Sequence, residues 1–141
     1  MHQAVQNQGA RCVVVDEVGS PGEAAAARVI APTGVSLVAT AHGVRLRHLV
    51  ANPELAPLVG GVATTTLGDE AAGARGGRKT AAERRAPPTF NLCVEVVSRA
   101  RWRVHWEVAA AVDAILAGQP FEVEERWLAP DGRLMARRVG G

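Results

Sequence analysis

Apolar residues fall in short blocks along this chain, separated by turns and polar stretches. Cys12 to Val15 is an apolar run that ends in the acidic pair Asp16–Glu17, and Val35 to Ala39 is another that ends in Thr40-Ala41-His42-Gly43. Short runs that are apolar on both faces suit parallel strands buried between helix layers. Between them, Ser20-Pro21-Gly22-Glu23 opens a helix: Ser caps it, Pro takes the first helical position and Glu completes a capping box. The helix runs to about Ile30 and stops before Pro32 and Gly34. Leu46, Leu49 and Val50 lie at helical spacing, Asn52-Pro53 breaks that helix, and Glu54–Leu58 supplies another turn.

Further on, Val62–Leu67 and Leu92–Val97 read as strands, with the polar, Gly-rich stretch Gly68–Arg85 between them as a helical turn and a loop. Arg101 to Trp106 alternates strictly, which predicts a half-buried strand hairpinned to the one before. Its inward face holds Trp102, Val104 and Trp106, and its outward face Arg101, Arg103 and His105. Glu107–Leu116 reads as a helix capped by Gly118, and Phe121–Leu128 and Leu134–Val139 flank a Pro130-Asp131-Gly132 hairpin turn. His2–Gln8 is helical in composition but too short to stand alone. The expected fold class is α/β: a three-layer, mostly parallel sheet with a small β-rich C-terminal extension.

Polar groups at the carboxyl ends of parallel strands look into the crevice where ligands bind. Two neighbouring strands would therefore deliver Asp16, Glu17, Thr40 and His42 to one place. An acidic pair in that position suits metal-assisted phosphoryl chemistry, in which one carboxylate holds Mg2+ and the other orients the attacking water.

At 141 residues the chain is long enough for a sizeable core, and 48% of it is hydrophobic, mostly Ala and Val. A formal net charge of +2 is too near neutral to argue for nucleic acid by itself. Cys12 and Cys93 stand singly in apolar runs and read as buried thiols of a reducing compartment. No apolar run reaches the length of a membrane span, and MHQAVQNQGAR carries no signal core or presequence pattern. Cys, His and carboxylates do not cluster at metal-ligand spacing, and no nucleophile-plus-base arrangement stands out.

The order of these stretches resembles AAA-type P-loop ATPases of cyanobacteria and plastids, relatives of the bacterial stage III sporulation AA protein. The resemblance rests on VVVDEVG (Val13–Gly19), EAAAARVIAPTGVSLVATAHG (Glu23–Gly43) and LVANPELAPLVGGVATTTLGDE (Leu49–Glu70). It continues through RKTAAERRAPPTF (Arg78–Phe90) and RWRVHWEVAAAVDAILAG (Arg101–Gly118). It implies that residues 1–118 are the C-terminal part of an ATPase core and 119–141 a β-hairpin extension. It further implies ATP and Mg2+ as ligands, with Asp16 holding Mg2+, Glu17 orienting water, and Thr40 and His42 near the γ-phosphate. A ring or dimer of identical chains, and a chloroplast or cyanobacterial cytoplasmic setting, follow from the same resemblance.

The phosphate loop of that family is absent from the residues before Asp16. Gly73–Thr80 nearly spells it, but Arg78 stands where its second glycine belongs, and the stretch follows the acidic pair instead of preceding it. Alone, such a chain is expected to be inactive. Against the ATPase stands a second expectation, a non-catalytic interaction or assembly module that contacts nucleic acid through the Arg75–Arg85 loop. Within that loop Arg78, Lys79, Arg84 and Arg85 are read first as a solvated surface, and the indoles of Trp102 and Trp106 as core.

Overall fold

The structure, a computed structural model, describes residues 10–66 and 80–141. Strand β1 (Cys12–Val18) and strand β2 (Ser36–Ala41) pair in parallel, joined by helix α1 (Pro21–Ile30) and a 3-10 turn, Ala31–Thr33. The α1 start follows its sequence signature. Glu23 N–H donates to Ser20 Oγ at 3.3 Å, while the Glu23 carboxylate accepts from Gly19 N–H and Ser20 N–H at 3.0 and 3.1 Å. These bonds, Gly19 N–H foremost and then the Ser20 hydroxyl and N–H, hold the Glu23 carboxyl below its usual range. Ala24, Ala27 and Ile30, at three-residue spacing, form the buried stripe of α1.

Helix α2 (Leu46–Ala51) and a 3-10 turn (Ala56–Val59) lead to strand β3 (Val62–Thr66), which pairs antiparallel with β4 (Thr80–Arg84). Gly60 ends the 3-10 turn at φ 103, and a Cβ there would lie 2.3 Å from the Ala86 carbonyl oxygen. Only glycine allows that approach, which lets Ala86 N–H donate to the Gly60 carbonyl at 3.0 Å. The rest of the chain makes a four-stranded antiparallel sheet in the order β5 (Cys93–Ser98), β6 (Arg101–His105), β7 (Glu122–Leu128), β8 (Leu134–Gly140). Helix α3 (Val108–Ala117) bridges β6 and β7 and ends at Gly118 in the left-handed region.

Among the described residues, two apolar clusters hold these parts together. Leu46, Val50, Val59, Val108, Ala111 and Val112 join α2 and α3, with Cys93 and Phe121 of the large sheet's end packed on them. Val18, Ala24, Ala27, Leu55 and Leu58 join β1, α1 and the 3-10 turn. Leu49 packs against both clusters.

The expected three-layer, mostly parallel sheet is corrected by this architecture. Strand accounts for 40% of the described residues and helix for 28%, spread over three small sheets of which only β1–β2 is parallel. The reason lies in the connections. Parallel pairing needs a long crossover, and α1 supplies one. The short β5–β6 and β7–β8 turns, by contrast, fold strands back antiparallel, and so does α3 between β6 and β7. Nor are the apolar runs buried on both faces, since Val14 and Val38, directly opposite each other, are 75% and 55% exposed.

Two local expectations also change. In β6, Val104 is buried as alternation predicts, but His105 is buried too and Trp106 is 54% exposed. The helix-covered face of the sheet at this end is the one bearing Cys93, His105 and Val123, opposite to the one expected. Thr80–Arg84, expected as loop, is strand β4. Residues 67–79, including Arg75, Arg78 and Lys79, lie outside the described residues, as does His2–Gln8.

Candidate functional site at the β1 and β2 strand ends

The carboxyl ends of β1 and β2 bring Asp16, Glu17, Thr40 and His42 together. The register runs evenly from Cys12↔Ser36 to Val15↔Ala39, and the next pair is Val18↔Ala41. Asp16 and Glu17 thus stand against a single residue of β2, which is a β-bulge, uncommon in a parallel pair and a device for re-aiming side chains. Glu17 absorbs the extra residue at φ 55, the sole non-glycine residue in the left-handed region among those described. For a residue with a Cβ that conformation costs roughly 1–2 kcal/mol.

Hydrogen bonds from the neighbouring strand hold the bulge. Glu17 N–H donates to Thr40 Oγ1 at 2.7 Å, and the Thr40 hydroxyl donates to Asp16 Oδ1 at 3.1 Å. His42 Nδ1–H donates to Glu17 Oε1 at 2.6 Å, since a carboxylate can only accept. Thr40 therefore spends its hydroxyl proton on one carboxylate and its lone pair on the backbone of the next. His42 and Glu17 are both open to solvent. This end of the molecule presents two carboxylates, one orientated by a hydroxyl and one by an imidazole.

The basic residues considered in sequence lie elsewhere. Arg84 is not a solvated loop residue: its Nε and Nη2 donate to both oxygens of Asp113 on α3 at 3.0 and 2.9 Å. That fork raises the Arg84 pKa above its ordinary value and ties β4 to the helix. A surface cavity lined by Arg28, Pro53, Gly60 and Arg85 includes none of the four strand-end residues.

A second polar cluster escaped the sequence reading. Glu95 and His105 are both buried, His105 Nε2 lying 3.0 Å from Glu95 Oε1, which also accepts from Leu46 N–H at 2.8 Å. Burial pushes the Glu95 carboxyl up, but His105 and Leu46 N–H outweigh it and leave its pKa lowered. Cys93, directly across the ladder from His105, has its thiol pushed up to about 11 by burial and then by the Glu95 charge. His105 Nδ1 has no hydrogen-bond partner among the described residues. The signal available in sequence was a glutamate inside an otherwise apolar run, Cys93 to Val97, facing a histidine across a tight hairpin.

No family model matches this chain, and no solved structure matches it. It is 47% identical over 127 residues to the protein Seedling plastid development 1 of Arabidopsis thaliana, a match covering 89% of this chain and 19% of that protein. It is 44% identical over 138 residues to the uncharacterized protein ycf45 of Porphyra purpurea, covering 97% of this chain and 24% of the relative. The ycf45 protein of Cyanidium caldarium is 33% identical over 134 residues, covering 95% and 40%. The chain thus spans less than half the length of each of these relatives. The resemblance to AAA-type P-loop ATPases is corrected here: none of the three names describes an ATPase, and no family model or solved structure of that class matches. The plastid setting agrees with the relatives, one of which is named for plastid development.

Proposed function

We propose that the β1–β2 strand ends form the metal- and water-handling half of a site that hydrolyses Mg2+–nucleoside triphosphate in a longer protein. The observation that carries this is the bulge at Asp16–Glu17, which turns Glu17 outward at φ 55 onto His42 while Thr40 holds Asp16 beside it. Strained non-glycine backbone persists where surrounding structure over-determines it, and such positions cluster at functional sites. The chemistry requires no membership of the ATPase family discussed above.

The residues fit the metal. Among the described residues no group of His, Cys, Asp or Glu could cage an ion by itself. Mg2+ seldom asks for such a cage: it keeps several waters and takes one or two carboxylates plus substrate phosphates. Asp16, steadied by the Thr40 hydroxyl, supplies such a carboxylate. When bound, Mg2+ neutralises charge on the transferring phosphoryl group. Glu17 accepts a hydrogen bond from the attacking water and takes up its proton, and His42 is a positioning residue that holds the carboxylate in place. Both side chains are solvent-open in this chain, so the phosphate cradle and the exclusion of water fall to other parts of the longer protein.

Titration calorimetry with Mg2+–ATP tests this. The chain is expected to bind weakly and only with Mg2+, to lose binding in Asp16→Asn, and to keep it in Glu17→Gln. In the longer protein, Glu17→Gln is expected to lower phosphate release by about 10²–10⁴-fold, the usual weight of a general base, at unchanged nucleotide affinity. Unchanged nucleotide affinity and phosphate release for Asp16→Asn in the longer protein would instead leave a non-catalytic interaction module. The exposed Val14–Val38 face of the same strand pair favours that second reading.

A further inference from the structure

The large antiparallel sheet carries a charge arrangement that the strand-end site does not use. Across its four strands, Glu95, Arg103, Glu125 and Arg137 stand directly opposite one another in a single row. Residues two apart on a strand share a face, so Arg101 lies beside Arg103 and Trp127 beside Glu125. The central Glu125 side chain is only 5% exposed and receives three guanidiniums. Arg137 Nη2 and Nε donate to Oε2 at 2.7 and 3.0 Å, while Arg101 Nη1 and Arg103 Nε stand 3.7 Å from the carboxylate.

One carboxylate cannot neutralise three guanidiniums. Glu95, next in the row, is already held by His105 and by Leu46 N–H. Arg103 Nε is a buried donor with no hydrogen-bond partner among the described residues. The face is open where the surplus lies, Arg101 and Arg137 being 46% and 58% exposed. Arg137 also stacks on an indole, its Cζ 5.3 Å from the Trp127 ring centroid. Exposed Arg99 sits in the β5–β6 turn, at the end where Leu128 N–H donates to the Ala100 carbonyl at 3.0 Å.

We propose that this arginine–tryptophan face binds single-stranded nucleic acid, its guanidiniums donating to phosphate oxygens beside an indole on which a base can stack. Surplus guanidinium charge alone would serve any polyanion. The half-buried indole set among the arginines is what favours a strand with unpaired bases, because stacking on aromatic side chains is how open sheets take such strands. The opposite face carries Arg126 and Arg138 as well, but Glu124 and Glu122 pair with them and leave no surplus.

Fluorescence anisotropy with a labelled oligo-dT tests the assignment on the unaltered chain and on Arg101→Gln/Arg137→Gln. With three phosphate contacts, the logarithm of affinity is expected to fall against log salt with a slope of about −2, and with one contact left, about −0.7. The double variant should bind about tenfold more weakly or worse at low salt, and Trp127→Leu should weaken binding while leaving the slope in place. Should the double variant fail to fold by circular dichroism, ultraviolet crosslinking of the unaltered chain to oligo-U decides. Crosslinks at Trp127 and its neighbours uphold the proposal, and crosslinks confined elsewhere overturn it. Absence of binding, unchanged affinity in the double variant, or equal affinity for heparin or duplex would also overturn it.

Discussion

Glu95 shows how much a single buried carboxylate can organise. It joins β5 to β6 through His105 and joins the sheet to α2 by accepting the first helical N–H, Leu46. Replacing it with alanine leaves two buried donors without an acceptor, at about 1–3 kcal/mol each. Its folded pKa is lowered, so its charged form contributes stability that is complete above the ordinary carboxylate value, about 4.3, and fades as pH falls through the folded one. Urea unfolding from pH 7 downward is expected to show Glu95→Gln less stable at neutral pH and less sensitive to acid than the parent. Parallel acid limbs would show that the carboxylate charge is not what matters. Glu17, by contrast, spends stability on conformation: its positive φ is legible only in three dimensions, because nothing in VVVDEV announces a bulge.

At the scale of elements, local rules performed well wherever a partner was not needed. The α1 cap was readable because both of its hydrogen bonds join residues three apart. Ser20→Ala is expected to cost about 1 kcal/mol, the usual worth of such a cap, measurable as a shift in the urea midpoint at unchanged slope. An unchanged midpoint would mean that packing of Ala24, Ala27 and Ile30 alone sets the helix start. The β7–β8 hairpin was equally readable from Pro130-Asp131-Gly132, where Gly132 takes φ 81. Strand faces were harder. Alternation in Arg101–Trp106 gave the period but not which side the helices would cover, and α2 and α3 settled on the side of His105.

At the scale of the whole molecule, the sheets differ in how they are supported. The central strands β6 and β7 are paired on both edges, whereas β1 and β2 have one partner each among the described strands and expose Val14 and Val38. Local opening follows such differences in burial and pairing. Hydrogen exchange followed by mass spectrometry is expected to show β1 and β2 amides exchanging well before those of β6 and β7. Equal protection would mean that the small parallel pair is cooperative with the large sheet. A strand pair of limited support is a natural place for further chain to add cover, and the three relatives all extend beyond the matched region.

By itself the sequence determined what depends on neighbours along the chain. That includes the helices and their caps, the hairpin turns, the approximate strand positions, and the meeting of Asp16 and Glu17 with Thr40 and His42 across one helical crossover. Tertiary structure decided what depends on which distant surfaces meet. An apolar run states that a strand prefers burial, but not whether its partner runs parallel, and so a mostly parallel sheet was expected where the described residues form three small, mainly antiparallel ones. The burial of Glu95 and His105, the fork of Arg84 on Asp113 and the crowding of three arginines on Glu125 all arise from cross-strand and helix-to-strand contacts. Those depend on register and packing, which a period of two along a single strand cannot encode.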